Sequence, residues 1–244
     1  MRPIVVIPAR MESSRLPDKP LAQIDGEPMI VHVWRRGIEA DLGPVVVASG
    51  DPRIAAAIRE RGGIAIDTDA ALPSGSDRVA AALAVVDPAR THDVVVNLQG
   101  DMPTFEPEAM RLAVRALAET GFDVATLGCV IADAEELARP SVVKIAMEPL
   151  PGSDVLGRAH YFSRAPIPVG APVHLHHIGL YVYARDALTR FVAAPQGALE
   201  RSERLEQLRA LALGMSIAVR VVTMRPLGVD TAADLDEARR RLRA

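Results

Sequence analysis

The sequence predicts an α/β protein: a mostly parallel sheet with helices on both faces, plus a smaller mixed or antiparallel subregion. Three observations predict it. Short apolar, β-branched runs alternate with helix-patterned stretches through the first half of the chain. Polar, charged loops follow the first and fourth of those runs, at what would be the carboxyl ends of the strands. After about residue 124 the strand-like runs crowd together.

In chain order, Ile4–Ile7 (IVVI) is a buried strand, and PMIVHVWRRGIEA, from about Pro28 to Ala40, a helix. Val45–Ala48 is the next strand, Pro52–Arg61 the next helix, and Ile64–Asp67 a third strand. Ser76–Val86 reads as a helix with Ser74 or Ser76 as its N-cap. Val94–Leu98 is a strand ending at Gln99-Gly100-Asp101, and a helix from Pro107 to Thr120 follows. Beyond residue 124, VATLGCVI, VVKIAM and HHIGLYVYA read as strands of the smaller subregion, at about 124–200 of a single domain. Leu199–Leu213 reads as one amphipathic helix and Ile217–Met224 as a strand. The final helix has acidic residues early and arginines late, matching the helix dipole, so RRRLR reads as a helix end and not as an RNA patch.

Composition narrows the function. The chain has 244 residues, 49% hydrophobic and 24% charged, with a net charge of −3. That balance argues against nucleic-acid binding by bulk electrostatics. Its single cysteine, Cys129, lies in an apolar stretch, offers no disulfide or cysteine-metal framework, and fits a reducing cytoplasm. The first apolar run is too short for a signal peptide, and none approaches the roughly 20 residues of a membrane span. A soluble, cytoplasmic protein is expected.

Residues 8–20 (PARMESSRLPDKP) hold Arg10, Arg15 and Lys19 among three prolines. Cations gathered at a strand's carboxyl end suggest an anionic ligand, most simply a phosphate chain, and the prolines stiffen the loop. Neither G-x-G-x-x-G after the first strand nor G-x-x-x-x-G-K-[ST] is present, so the loop would hold phosphate with side-chain cations and backbone N–H groups. Asp101 is presented at the same sheet edge; a carboxylate beside a polyphosphate suits Mg²⁺, which is typically held by one or two carboxylates plus phosphates. Asp230 in GVDTAADL reads, on its own, as an N-cap. Two other motifs invite metal readings. In HLHH, His174 and His176 share one strand face and His177 takes the other, which disfavours zinc. Asp67-Thr68-Asp69 has the D-x-D form of metal-dependent glycosyltransferases, a second enzyme hypothesis; a non-catalytic nucleotide-binding module is a third.

The stretches IPARMESSRLPDKPLAQIDGEPMIVHV, LPSGSDR, VVNLQGDMP, YFSRAPIP, HHIGLYVY, LERSERLEQLRAL and GVDTAADL resemble, in order and spacing, those of the CMP-KDO synthetase (3-deoxy-manno-octulosonate cytidylyltransferase) family. The resemblance covers essentially the whole chain. It implies a Rossmann-like nucleotidyltransferase fold and transfer of CMP from CTP to KDO, an eight-carbon acidic sugar of lipopolysaccharide, with release of pyrophosphate. It implies Arg10, Arg15 and Lys19 on the triphosphate, with Lys19, Arg15 and Asp101 catalytic, and Asp101 and Asp230 on Mg²⁺. By the same resemblance Ser74, Gly75 and Arg78 face the nucleotide, while Gln99, Arg164, His177, Tyr181, Glu206 and Gln207 form the sugar-binding wall. A homodimer is also implied. The sequence departs from the family at Leu72 and Pro73, where His-Gln is common, at Ser76 and Asp77, and at Met102. A branch acting on 8-amino-3,8-dideoxy-octulosonate lacks that His-Gln pair too, which makes the amino sugar an alternative substrate.

Overall fold

The computed structural model describes residues 1–11, 15–225 and 227–243. Ser13 and Ser14 of the expected first loop, and Ala244 at the end of the expected final helix, lie outside the described residues. Two compact units form, Met1–Arg111 with Pro226–Ala244, and Leu112–Arg225.

In the first unit, β1 (Pro3–Ala9) is buried from Ile4 onward, as a β-branched run flanked by neighbours should be. A 3₁₀ turn (Lys19–Leu21) and the two-residue strands β2 (Gln23–Ile24) and β3 (Glu27–Pro28) lead into α1 (Met29–Glu39). Next come β4 (Val45–Ser49) and α2 (Pro52–Arg59), which starts where Asp51 accepts the Arg53 N–H and Pro52 takes a first-turn position. Then follow β5 (Ile64–Asp67), α3 (Gly75–Val86) and β6 (Val94–Asn97). All three pairings in the order β5-β4-β1-β6 are parallel. The chain leaves β1 towards β4 and β5, then returns on the other side of β1 to make β6. That reversal opens a crevice between the loops that follow β1 and β6.

Helix α4 (Pro107–Thr120) carries the chain into the second unit. There β7 (Val124–Val130), the capped short helix α5 (Ala134–Ala138), β8 (Lys144–Pro149), β9 (Leu156–Ser163) and β10 (Leu175–Ala184) follow in succession. The helices α6 (Arg185–Ala193), α7 (Ala198–Glu203) and α8 (Gln207–Ala212) precede β11 (Ile217–Val221). Antiparallel pairings join β10 to β7, β11 to β9, β9 to β8 and, through His176 and Leu175, β8 back to β10, while β11 and β7 run parallel. These five strands therefore close on themselves, the mixed subregion the sequence anticipates. The chain ends in the first unit with α9 (Ala232–Arg243).

Two expectations need correction. Leu199–Leu213 is not one helix: Arg204 adopts φ 55° and separates α7 from α8. The neighbouring Glu203 carboxylate accepts from the Ser163 hydroxyl and the Arg164 N–H, and that long-range tie fixes the break. The last strand stops at Val221, short of Met224.

Candidate active site

The β1/β6 crevice contains a pocket of about 370 Å³ within the first unit. Pro8, Ala9, Arg10, Arg15, Lys19 and Pro20 supply one wall, Ser74, Gly75 and Arg78 of the start of α3 another, and Gln99, Gly100, Asp101 and Asp230 the rest. Nine residues expected from sequence are thus brought together: Arg10, Arg15, Lys19, Ser74, Gly75, Arg78, Gln99, Asp101 and Asp230. Four cations face two carboxylates, so the lining is positively biased.

Lys19 is the hub. Its ammonium donates to Asp101 Oδ2 at 2.9 Å and Asp230 Oδ1 at 3.0 Å, and Arg15 pairs with the other Asp230 oxygen at 3.0 Å. Burial is the largest influence on Lys19 and disfavours its charge; the field and hydrogen bond of Asp101, then those of Asp230, outweigh it and raise its pKa. The local backbone explains how Lys19 arrives there. Asp18 takes a left-handed conformation, φ 50°, and its carbonyl accepts the Leu21 N–H at 2.8 Å, so the chain turns sharply and aims Lys19 inward.

Asp101 is positioned by Gly100. A Cβ on residue 100 would lie 2.7 Å from the Pro8 carbonyl oxygen, so only glycine lets β6 hand the chain on against β1. Asp230 is held by the Val229 N–H, which donates to the Asp101 carbonyl at 2.9 Å. Beneath it a small apolar core of Ile24, Met29, Val229, Leu235 and Ala238, with Leu16 and Ala22 against it, packs the first loop onto the C-terminal segment. Thr231 and Asp234 cap the start of α9: the Asp234 carboxylate accepts from the Asp230 and Thr231 N–H groups.

Ser74 is the N-cap of α3, accepting the Asp77 N–H at 3.2 Å and donating its hydroxyl to the Asp77 carboxylate at 2.6 Å. Gly75 follows, and a Cβ there would lie 3.4 Å from Pro8 Cγ. Arg78 is 1% exposed, and its guanidinium donates to Thr68 Oγ1, the Asp69 carbonyl and the Ala70 carbonyl. Gln99 donates to Asn97 Oδ1 at 3.2 Å. Pro8, Ala9, Pro20 and Gly100 also line the pocket without having been expected there as site residues. For Gly100 the signal was present, a glycine between a buried strand and a candidate ligand.

The other expected residues lie in the second unit. Arg164 donates to the carbonyls of Pro140, Glu203 and Arg204. His177 is buried with Nε2 2.9 Å from Thr126 Oγ1, its ring edge-on to Phe162 and tilted against Tyr181. Burial, and then the neighbouring His176, push its pKa down to about 3. The Tyr181 hydroxyl donates to Gln207 Oε1 at 3.0 Å, and the buried Gln207 Nε2 has no partner among the described residues. Gln207 opens α8, with Glu206 at the N-cap position.

The competing motifs serve structural ends. Asp67 pairs with Arg59, Thr68 is bonded to Ser49, and Asp69 accepts the Ala71 N–H. His174, His176 and His177 turn to Pro168, Glu136 and Thr126 respectively. Among the described residues no group of three or more His, Cys, Asp or Glu side chains converges as a metal site. Nor is any helix among them long and apolar enough to cross a membrane.

The sequence profile of a family described as cytidylyltransferase matches residues 4–217. The 3-deoxy-manno-octulosonate cytidylyltransferase of Rhodospirillum centenum is 58% identical over 237 residues, 97% of this chain and 92% of that protein. The enzyme of the same name from Paramagnetospirillum magneticum is 54% identical over 244 residues, covering 100% and 99%. A solved structure of CMP:2-keto-3-deoxy-manno-octonic acid synthetase complexed with CTP superposes with a TM-score of 0.90 at 37% identity, over 100% of this chain and 99% of that one. A UDP-glucose pyrophosphorylase, 13% identical with a TM-score of 0.69, shares the fold.

Proposed function

The chain belongs to the cytidylyltransferase family, and from that premise we propose how its pocket works. Its reaction is that of its relatives, 3-deoxy-manno-octulosonate cytidylyltransferase: CMP passes from CTP to the sugar and pyrophosphate leaves. The observation that carries the reading is the convergence of Lys19, Arg15, Asp101 and Asp230 in one positively biased pocket at the switch point of a parallel sheet.

The sugar hydroxyl attacks the α-phosphorus; a P–O bond forms, the bond to the pyrophosphate oxygen breaks, and the hydroxyl proton departs to solvent or phosphate. Little covalent work falls to the protein, so position and charge dominate. Arg10, Arg15 and Lys19 bind the triphosphate and stabilise the charge that grows on the leaving pyrophosphate. An ammonium has three N–H donors; the carboxylates take two on Lys19, which leaves the third for a phosphate oxygen. Ser74 and Gly75 hold the start of α3, whose N–H groups favour an anion.

Asp101 and Asp230 are assigned to Mg²⁺. Oxygens of both reach one cation, the Lys19 ammonium, so the two carboxylates can share a single positive centre, the donor set that suits magnesium beside phosphates. When bound, Mg²⁺ supplies charge neutralisation at the phosphates and a more acidic attacking hydroxyl. We assign Gln99, Arg164, His177, Tyr181, Glu206 and Gln207 to sugar recognition; the unpartnered Gln207 amide donor supports this for Gln207. The enzyme is further proposed to act in the cytoplasm, where CTP is made, and as a homodimer, for which the exposed Val155, Val169 and Val173 offer apolar surface. Pyrophosphate release that requires both CTP and the octulosonate tests the reading; release independent of the sugar overturns it.

A further inference from the structure

Arg78 lines the pocket, yet nearly all of its surface is buried. Its Nη1 donates to Thr68 Oγ1 at 2.6 Å and to the Asp69 carbonyl at 3.0 Å, and Nη2 donates to the Ala70 carbonyl at 3.3 Å. Thr68 is itself fixed to the end of β4: its N–H and its hydroxyl both donate to the Ser49 carbonyl, at 2.7 and 2.8 Å. The next residue, Gly50, leaves room for the guanidinium, because a Cβ there would sit 2.7 Å from Nη1 and 3.0 Å from Cζ. At the other end, the Arg78 N–H donates to the Ser74 carbonyl in the first turn of α3, where Ser74 and Gly75 face the pocket.

One planar fork therefore joins the end of β4, the turn at residues 68–70 and the first turn of α3. A lysine could not do the same, since a point charge on a flexible stem does not reach several acceptors in fixed directions. We infer that Arg78 is a positioning residue: it holds the α3 edge of the pocket in place for the nucleotide through Thr68 and the 68–70 turn, and is not itself a phosphate contact. The Asp67-Thr68-Asp69 stretch then has a role, presenting a hydroxyl and a carbonyl to this guanidinium. The inference rests on the pocket being the CTP site.

The test is CTP affinity and steady-state kinetics for Thr68→Val, Thr68→Ser, Arg78→Lys and the Arg78→Lys/Thr68→Val double variant. Thr68→Val deletes the hydroxyl and, like Arg78→Lys, is expected to raise the Kd for CTP about ten-fold while kcat at saturating CTP stays within about two-fold. The double variant should lose no more than the worse single one, and Thr68→Ser should bind like the parent chain. Normal CTP affinity in Thr68→Val, or additive losses in the double variant, would overturn the inference. If Arg78→Lys does not fold, Thr68→Val against Thr68→Ser decides alone. A parent chain that does not bind CTP would overturn the proposed function instead.

Discussion

Val229 and Asp101 are joined backbone to backbone: the Val229 N–H donates to the Asp101 carbonyl at 2.9 Å. That bond carries Asp230, next in the chain, to the carboxylate that follows β6, and Lys19 then bridges the two side chains. Carboxylates from the two separate segments of the first unit thereby meet at one ammonium.

Asp101→Asn keeps the shape of the side chain and removes its charge. Its kcat/KM is expected to fall by about 3 kcal/mol or more, upwards of roughly a hundred-fold, as when one preorganised electrostatic group is deleted. Steady-state assay of a variant with unchanged circular dichroism checks this. Turnover equal to the parent chain would remove Asp101 from the site.

Gly100→Ala tests the approach of β6 to β1. The added Cβ would meet the Pro8 carbonyl oxygen at 2.7 Å, a backbone atom that cannot swing aside. Stability is expected to drop by about 1–3 kcal/mol, with weaker CTP binding because Pro8 and Asp101 both shift. Urea unfolding and CTP titration report the two effects.

Much of this was legible in the sequence, because the apolar β-branched runs at Ile4, Val45 and Val94 and the charged loops after the first and last of them are local signals. What was not legible depends on distant partners. Strand β9 (LGRAHYFS) alternates buried and exposed side chains too irregularly to announce itself, and the break at Arg204 follows from Glu203 meeting Ser163 and Arg164. In the site, Asp230 alone reads as a helix cap, but Thr231 and Asp234 supply that cap and the Asp230 carboxylate turns to Lys19 and Arg15 instead. Arg78 carries no local mark of being clamped to Thr68.

His177 makes stability pH-dependent. Its folded pKa is pushed to about 3, chiefly by burial, below the ordinary histidine value near 6.5. The unfolded chain thus takes up a proton near pH 6.5 that the folded protein refuses. Stability is full above that value and falls as pH drops towards 3, by about 1.4 kcal/mol per pH unit for this one group. Urea midpoints between pH 7 and pH 4 should show a shallower decline in His177→Gln than in the parent chain.

Cys129 is 2% exposed, and burial is the main reason its pKa is pushed up to about 11, with Arg225 opposing and Glu136 adding to the shift. At pH 8 the native thiol should react with iodoacetamide at least about a hundred-fold more slowly than the thiol of the urea-unfolded chain. Comparable rates would mean that this part of the second unit opens readily.

Asp101 and Asp230 are proposed to present one cation together to the triphosphate. The most direct test is Mn²⁺ binding, read by electron paramagnetic resonance with CTP present, in the parent chain and in an Asp101→Asn/Asp230→Asn double variant. Protein-bound Mn²⁺ is expected in the parent chain and its loss in the double variant. Equal binding by both would contradict that assignment.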